Sequence, residues 1–466
     1  MNNFNPKYTD FVDILRRRDF VYLWIGQIIS SIGDRFYQFA LLSIILGING
    51  AQMQIGSGTA QVFFAAMIFT VILAPWIGKI VDSYSRKLTM LFTDFGRAIL
   101  LLGLLFVWMY LGEQAREENY RWVILAFVSL IGLLNGVFIP ARQASVSALV
   151  TKEELVRANA LVTTVGVVAS VVGASASLLI SLLGEESVFF AAAVGFTLSG
   201  VFILAIKNDL HPQEKEVYER SAIRNWFHTI HEALTFTWQH PTARALVLLA
   251  GLSQFVLGLV AVFGLSHTMT AVDLQPVSKV LSSFVTKFSD SYCFEERHVR
   301  LLASVSILIF SAFGLLTGVI LCGKSWHFGH YSALPFFGLF LLGLSVVGFA
   351  LTKTLGTILL LSFVFGFAGA LVAAPIDARL QSEVRPNWLG RVFALRAAWM
   401  NVAFLLAMAV NLDGKLIQKF GAGELLLFVG IGAVSVAILF MMLHTNWLYS
   451  VWYSRNQGQE QLERLV

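Results

Sequence analysis

The sequence is poor in charged residues and contains only two cysteines. Charged residues occupy 13% of its 466 positions and apolar residues 57%, whereas an average soluble domain is about 25% charged. A chain of this composition cannot cover its apolar surface in water, which excludes an ordinary soluble protein and indicates a lipid environment. Two cysteines, Cys293 and Cys322, are too few for a disulfide framework or a cysteine metal cluster.

Motifs of catalysis and of nucleic-acid binding are also missing from the sequence. Nine histidines form no H-E-x-x-H grouping, and His228 and His231 have one neighbouring carboxylate, Glu232. No basic run is interleaved with aromatic residues, which argues against a nucleic-acid partner. We therefore predict no metal, no cofactor and no enzymatic activity, and we keep a polytopic membrane enzyme only as a distant alternative.

Long apolar runs are the main feature of the sequence. A membrane-spanning helix needs about 20 mostly apolar residues, and the sequence offers twelve such runs. They begin near Phe20, Ser57, Leu88, Trp122, Ala158, Val188, Ala243, Leu301, Ser332, Gly356, Arg391 and Glu424. The pattern predicts an all-α integral membrane protein with 12 transmembrane helices, a class in which multi-pass transporters are the commonest members.

Lysine and arginine are distributed unevenly between the predicted loops. With the N-terminus placed in the cytoplasm, the inside segments hold 21 of the 33 and the outside segments hold 9. The remaining three, Arg35, Arg97 and Arg396, fall within predicted spans. Because cytoplasmic loops are enriched in these residues, we expect a multi-pass protein of the inner or plasma membrane with both termini in the cytoplasm.

The spans fall into two groups of six around a long polar connection. We assign residues 1–207 to an N-terminal six-helix bundle, 208–242 to a cytoplasmic linker and 243–466 to a C-terminal six-helix bundle, which carries a long outside loop at 267–299. Apolar residues recur in the linker at helical spacing, which predicts an amphipathic helix on the membrane surface. These residues are Ile223, Phe227, Ile230, Leu234 and Trp238.

The two halves contain related segments. Residues 140–161 (PARQASVSALVTKEELVRANAL) and 375–395 (PIDARLQSEVRPNWLGRVFAL) each begin with a proline, which we place at the inner end of a helix. Internal symmetry of this kind is typical of secondary transporters and predicts two pseudo-symmetric bundles.

A match to the phosphate-binding P-loop pattern occurs at residues 318–325, GVILCGKS. Its Gly-Lys pair repeats the one in GKIVDSYSRK, residues 78–87, at the equivalent place in the first half. A P-loop needs a strand before it and a helix after it, whereas an apolar helix is predicted here. We therefore interpret the match as false and predict no nucleotide partner.

The segment GKIVDSYSRK resembles the G-x-x-x-D-x-x-x-R-[RK] signature of the major facilitator superfamily, which lies between the second and third helices. Together with twelve spans and a central cytoplasmic loop, the likeness covers nearly the whole chain and implies the major facilitator fold. Three further segments, LWIGQIISSIGDRFYQFAL, VTKEELVRANAL and GRVFALR, resemble one bacterial branch. That branch includes the enterobactin exporter, macrolide efflux proteins and the lysophospholipid transporter.

The resemblance implies a latch that holds the cytoplasmic side closed when the carrier faces outward. In this latch, the glycine permits close approach of helix ends, and the basic residues pair with the acidic residue or with lipid phosphate. The matching residues are Gly78, Asp82, Arg86 and Lys87. We add Asp94, in the third span, as a structural tie to this loop.

The sequence departs from the family pattern in two places. The second-half copy of the signature keeps Gly323 and Lys324 but lacks the acidic residue and the paired basic residues. The fifth span, Val165–Ser177, lacks the Gly-Pro of many drug exporters, which counts against proton antiport of the familiar drug-exporter kind.

Charged residues inside the spans are the main candidates for proton coupling and substrate binding. Asp34 and Arg35 are adjacent in the first span and point about 100° apart. Asp94 and Arg97, three apart in the third span, share a face. A carboxylate in an apolar cavity can exchange protons near neutral pH, so we choose Asp34 as the titrating group, with Arg35 and Arg97 beside it. A structural ion pair between helices is the alternative.

Neutral polar residues inside the spans are weaker candidates for the cavity, because most such residues form hydrogen bonds between helices. They are Gln27, Gln38, Asn135, Gln254 and Asn401.

These features predict a secondary transporter that works by alternating access. The leading hypothesis is proton-coupled efflux of a small amphipathic compound of the drug or siderophore type. The alternative is a lysophospholipid transporter that moves lipid across or between leaflets, with Arg35 or Arg97 receiving the phosphate. The expected partners are the substrate, protons and membrane lipid.

Overall fold

The structure is a computed structural model, and it describes residues 14–48, 55–111, 121–150, 155–173, 176, 180, 183–208, 210, 222–271, 296–324, 334–384 and 386–463. These residues form fifteen α-helices. The first eight are α1 (Arg18–Ile48), α2 (Ile55–Ile72), α3 (Ala74–Ser83), α4 (Arg86–Leu111), α5 (Arg121–Leu149), α6 (Leu155–Gly173), α7 (Glu185–Leu204) and α8 (Ala222–Gln239). The others are α9 (Pro241–Ala271), α10 (Glu296–Lys324), α11 (Leu334–Leu351), α12 (Leu355–Glu383), α13 (Pro386–Ala409), α14 (Lys415–Phe420) and α15 (Ala422–Glu463).

Each of the twelve predicted spans falls in a helix. Within the described ranges, nine helices are long and apolar enough to cross a membrane, namely α4, α5, α7, α9, α10, α11, α12, α13 and α15. The other three predicted spans coincide with α1, α2 and α6, and α2 contains a shorter apolar helix, Gly56–Ile72. The protein is therefore an all-α, multi-pass membrane protein, as its composition predicts.

The first compact unit comprises residues 1–234, 274–309 and 405–415. Within it, α1 packs along α7 and α6, α7 also packs against α4, and α5 packs against both α4 and α2. Most of the buried side chains are aliphatic or aromatic, as in the cluster around Phe189 and Phe196 of α7. A helix with apolar residues on every side is expected where one face meets protein and the other meets lipid.

The second compact unit comprises residues 235–273, 310–404 and 416–466. In it, α11 packs against α15 and α12, and α9 packs against α15. The first unit contains the same pairings: α4 packs against α7 and α5, and α1 packs against α7. This correspondence agrees with the internal repeat. Helices α8, α10, α13 and α14 each contribute residues to both units, so the boundaries at residues 207 and 243 remain a proposal.

Two glycines bring helix backbones into contact at corresponding places in the two units. A Cβ atom added to Gly132 of α5 would collide with the carbonyl oxygen of Ala66 in α2. A Cβ atom added to Gly366 of α12 would collide with the carbonyl oxygen of Ser311 in α10. Small residues at such crossings let membrane helices approach closely, and here only glycine fits.

The structure corrects the predicted helix ends at the two repeat prolines. Pro140 lies inside α5, which continues to Leu149, and Pro375 lies inside α12, which continues to Glu383. Proline removes one backbone hydrogen bond, but membrane helices tolerate it where other groups compensate. Each helix therefore extends by at least two further turns beyond the proline.

The remaining sequence predictions concern loops and the linker. Residues 318–324 of the P-loop-like match are the last turns of α10, which is not the strand-loop-helix arrangement of a P-loop; Ser325 lies outside the described residues. The predicted linker helix is present as α8, and its Leu234 and Trp238 are exposed. Of the outside loop 267–299, residues 272–295 lie outside the described part of the chain.

Candidate functional site

The main cluster of charged residues in the first unit is centred on Arg97 of α4. Its side chain is fully buried and forms ion pairs with Asp94, one turn earlier on the same face, and with Asp34 of α1, at 3.2 Å. A buried arginine of this kind is stable only when nearly all its donors are satisfied. The cluster therefore ties α1 to α4 in the interior of the first unit.

Further contacts hold the Arg97 guanidinium in a fixed position. Its Nη1 donates to both carboxylate oxygens of Asp34, at 3.2 and 3.3 Å, and to Oδ1 of Asn135 in α5, at 3.3 Å. Its Nη2 donates to Asp94 and to the Ser30 hydroxyl, the latter at 3.0 Å. The rings of Phe138 and Phe196 lie 4.7 and 4.3 Å from the guanidinium carbon, within the range of cation–π attraction.

The two carboxylates of the cluster differ in exposure and in bonding. The Asp94 side chain is fully buried and also accepts hydrogen bonds from the hydroxyls of Ser30, at 3.3 Å, and Ser199, at 2.7 Å. The Asp34 side chain is 22% exposed, and the hydrogen bonds described for it come from Arg97. Asp34 is thus the carboxylate that a proton or a ligand can reach, whereas Asp94 is enclosed by donors.

Arg35 lies on another face of α1, as its adjacency to Asp34 predicts. Its Nη1 donates to the Gln38 side-chain oxygen at 2.9 Å, one turn along the same helix. A Cβ atom added to Gly173 of α6 would lie 2.5 Å from the Arg35 Cβ, so this glycine makes room for the arginine stem. Arg35 is therefore directed toward α6 and not toward Arg97.

Asp94 is placed differently from its predicted role. We expected it to tie α4 to the signature loop, but its described partners are Arg97, Ser30 and Ser199. Eight residues separate Asp94 from Arg86 at the start of α4, about 12 Å at 1.5 Å per residue. This distance is too long for the carboxylate to reach the loop, so Asp94 belongs with the Arg97 cluster.

The basic residues of the signature bind carbonyl groups at the ends of neighbouring helices. Arg86 Nη1 donates to the carbonyl of Ala144 in α5, at 3.0 Å. Lys87 Nζ donates to the carbonyls of Leu204, the last residue of α7, and Ile206, at 3.0 and 2.6 Å. Cations are favourable at helix C-termini, where carbonyls lack helical partners. These contacts join α4 to α5 and α7 at one end of the bundle, called here the signature end.

The other two signature residues lie in α3. A Cβ atom added to Gly78 would meet nothing within 4 Å in the described part of the chain, so the close approach that we expected at this glycine is absent from this conformation. Asp82 lies one turn later in α3, and its side chain is outside the described ones. In the second half, Gly323 and Lys324 end α10.

The weaker cavity candidates lie in both units. In the first unit, Gln27 is buried with its Oε1 unpaired among the described residues, Gln38 accepts from Arg35, and Asn135 accepts from Arg97. In the second unit, Gln254 and Asn401 are half-buried, in α9 and α13. Asn135 is the one that the structure brings into the Arg97 cluster.

Sequence reasoning missed several polar residues in the helices. Ser30 and Ser199 lie in apolar runs and gave no signal, although both contact Asp94. The sequence predicts a helix end at Pro140 and therefore places Arg142 in a loop, whereas Arg142 lies inside α5. In the second unit, Asp377 of α12 forms an ion pair with Arg396 of α13, and this pairing was not predicted.

Comparison with known proteins gives the family. The model of the Major Facilitator Superfamily matches residues 23–408. The chain is 26% identical over 447 residues to the putative bacilysin exporter BacE of Bacillus amyloliquefaciens, a match that covers 95% of this chain and 97% of that protein. It is 21% identical over 428 residues to macrolide efflux protein A of Streptococcus pyogenes, covering 91% of this chain and 96% of the other.

Solved structures support the same assignment at the level of the fold. The POT family transporter PepTSo superimposes with a TM-score of 0.65 at 13% identity, covering 93% of this chain and 99% of that structure. An identity this low carries no information about substrate. The family match over most of the sequence, the transmembrane helices and the shared fold together show that this chain belongs to the major facilitator superfamily, whose members found here are transporters.

Proposed function

We propose that the protein is a secondary active exporter that couples the outward movement of a small amphipathic compound to the inward movement of protons. The observation that carries the proposal is the Asp34–Arg97 ion pair, in which a partly exposed carboxylate of α1 binds a fully buried arginine of α4. Charged residues in membrane helices are costly and usually functional. Asp34 is suited to proton exchange because its side chain is accessible, unlike that of Asp94.

The bonding of Arg97 suits a carboxylate that changes protonation state. If Asp34 takes up a proton, its attraction for the guanidinium weakens, but Arg97 keeps its bonds to Asp94, Ser30 and Asn135. The arginine is then not left as an unpaired buried cation, which would be strongly destabilising. Protonation of Asp34 therefore changes the tie between α1 and α4 without disrupting the rest of the cluster.

The relatives support export as the direction of transport. Those named above are a putative exporter of bacilysin and a macrolide efflux protein, and both match along nearly their whole length. We extend this direction to the present chain as part of the proposal. Alternating access requires one side to close while the other opens, and we assign closure of the cytoplasmic side to the signature residues Gly78, Asp82, Arg86 and Lys87.

A lysophospholipid carrier is the second candidate function. It is favoured by Arg142, an arginine inside a membrane helix whose guanidinium is not in an ion pair in the described structure and suits a phosphate group. Arg97, which we had considered for this role, is already bound by two carboxylates.

The test is proton movement in everted vesicles that contain the protein or its Asp34→Asn variant. A pH-sensitive dye reports the collapse of an imposed gradient as dyes, drugs, siderophores and lysophospholipids are added in turn. We expect collapse with at least one amphipathic compound, and loss of this response in Asp34→Asn. Asp413→Asn makes the same change at an exposed aspartate outside the cluster; it is the matched control and should retain the response. If no compound dissipates the gradient although the protein is inserted, proton antiport is rejected for that panel, and lysophospholipid transfer between leaflets is measured next.

A further inference from the structure

The membrane interior of the first unit contains more positive than negative charge. Away from the first and last turns, the described residues of α1, α4 and α5 include two carboxylates, Asp34 and Asp94, and three guanidinium groups, Arg35, Arg97 and Arg142. Both carboxylates bind Arg97. An arginine left without an anion in a membrane is costly and indicates a functional site.

Arg142 lies on the face of α5 that meets the Arg97 cluster. Asn135 and Phe138 of α5 both contact Arg97. Arg142 follows them at spacings of seven and four residues, which place all three on one side of an α-helix. The rise between Asn135 and Arg142 is about 10 Å, and helical side chains lean toward the N-terminus, which here means toward the cluster.

Arg142 differs from the other membrane arginines in lacking a fixed partner. Arg97 is paired with two aspartates and Arg396 with Asp377. Among the described residues, Arg142 forms no ion pair. Its buried Nε lacks a hydrogen-bond partner, but so do the Nε atoms of Arg97 and Arg396, so the absent ion pair is what distinguishes it. Arg35, in contrast, donates to Gln38 and is directed toward α6. The Arg142 guanidinium is therefore available on the face of α5 that meets the Arg97 cluster, which also contains the accessible carboxylate of Asp34.

We propose that the transported compound is a zwitterion, whose anionic group binds Arg142 and whose cationic group binds Asp34. Carboxylate and phosphate both suit a guanidinium, which donates paired hydrogen bonds to either. Asp34 and Asn135 share Arg97 Nη1, so the two charges of the ligand are separated by on the order of 10 Å, the rise between Asn135 and Arg142. This inference rests on the proposed function and specifies its substrate class.

A zwitterion also explains how substrate and proton compete for one group. The cationic group of the ligand and a proton both neutralise Asp34, so binding of one excludes the other. An anionic group alone near Asp34 would instead favour its protonated form, and ligand and proton would bind together. Antiport therefore requires the positive group of the ligand, while Arg142 supplies selectivity for the negative group.

The position of Arg142 indicates which of the two residues, Arg142 or Asp34, a ligand contacts first. It is two residues from Ala144, whose carbonyl binds Arg86 at the signature end, whereas Asp34 lies further from that end. A ligand that enters from the signature end meets Arg142 first and reaches Asp34 second.

The test is titration calorimetry on the full-length protein in a non-ionic detergent, with ligands that differ only in charge. One set is leucylphenylalanine, a zwitterion, with its N-acetyl form, which is anionic, and its amide, which is cationic. A second set is lysophosphatidylethanolamine and its N-acetyl form. The first set tests a soluble carboxylate compound and the second a phospholipid as the source of the anionic group.

In at least one set, we expect the zwitterion to bind at least tenfold more tightly than its singly charged forms. Arg142→Gln should remove this advantage, lowering zwitterion affinity tenfold or more while leaving the amide unaffected, and Arg142→Lys should retain most of it. Arg18→Gln removes the same charge from the exposed start of α1 and should bind like the wild type, which separates a local site from an effect of net charge.

Three results would overturn the inference: equal affinity of the amide and the zwitterion for the wild type, unchanged binding in Arg142→Gln, or no binding of either set to protein that elutes as a single folded species. Proton release on binding, measured in buffers of different ionisation enthalpy, tests the proposed function separately. If binding depends on Arg142 but releases no proton, the zwitterion site is supported and antiport is rejected. If proton-coupled export is unchanged in Arg142→Gln, antiport is supported and the zwitterion site is rejected.

Discussion

At the scale of single residues, the two aspartates that bind Arg97 have different surroundings and therefore different roles. Asp94 is enclosed by Arg97, Ser30 and Ser199, whereas Asp34 is partly exposed. A carboxylate held by three donors in a protein interior stabilises the fold and cannot easily change charge. A carboxylate at the edge of the same cluster can change charge at a smaller cost, which is why we assign coupling to Asp34 alone.

This difference predicts opposite effects of two matched substitutions. Asp94→Asn should lower the free energy of unfolding by about 3 kcal/mol, because it removes one anion from a fully buried pair. Asp34→Asn should have less than half this effect, yet it should abolish proton coupling. Thermal unfolding in detergent measures the first effect and the vesicle assay the second. Equal loss of stability in both variants would contradict the separation of roles.

The sequence placed these residues in the membrane but did not show their partners. Spacing predicted that Asp94 and Arg97 share a face, because this depends only on helix geometry. The bond from Arg97 to Asp34 depends on how α1 packs against its neighbours, and 63 residues separate the two. Ser30, Ser199 and Asn135 join the cluster for the same reason, which no local pattern in the sequence reveals.

At the scale of helices, close packing depends on glycines at crossings where two backbones touch. Gly132 of α5 lies against the Ala66 carbonyl of α2, and the Thr70 hydroxyl of α2 donates to the Gly132 carbonyl at 3.1 Å. Gly432 of α15 is a contrasting case, since a Cβ atom added there meets nothing within 4 Å among the described residues. The same amino acid therefore has a packing role in one helix and none in another.

The contrast gives a test of the α2–α5 crossing. Gly132→Ala should lower the free energy of unfolding by about 1–3 kcal/mol, because the new methyl group overlaps a backbone oxygen that cannot move alone. Gly432→Ala should raise it by about 0.5 kcal/mol, the usual benefit of alanine over glycine in a helix. Both are measured by thermal unfolding of the purified protein. A Gly132→Ala variant as stable as the wild type would show that α2 and α5 are not in close contact.

Helix positions were predictable from the sequence, but two helix ends were not. Apolar runs fixed the position of each helix because length and composition decide whether a segment can span a bilayer. Pro140 and Pro375 were interpreted as helix ends, since proline breaks helices in water. In a membrane bundle, neighbouring groups compensate for the lost hydrogen bond, and α5 and α12 continue. This error concealed Arg142, the residue on which the zwitterion site depends.

At the scale of the whole molecule, the side of the membrane that the signature end faces decides from which side a ligand meets Arg142 first. Inside segments hold 21 lysines and arginines and outside segments 9, if both termini are cytoplasmic. Orientation is set mainly by positive charge in short loops. In this orientation, Arg142 lies toward the cytoplasm, where the proposed exporter would take up its ligand.

Fusion proteins test this orientation directly. We expect green fluorescent protein fused after Val466 to fluoresce, because it folds in the cytoplasm, and alkaline phosphatase at the same position to be inactive. Phosphatase inserted at residue 117, in a predicted outside loop, should be active. The opposite pattern would place the signature end outside. Arg142 would then meet ligands that arrive from the outer side first. The fusions therefore establish the side from which Arg142 meets its ligand, independently of any knowledge of the substrate.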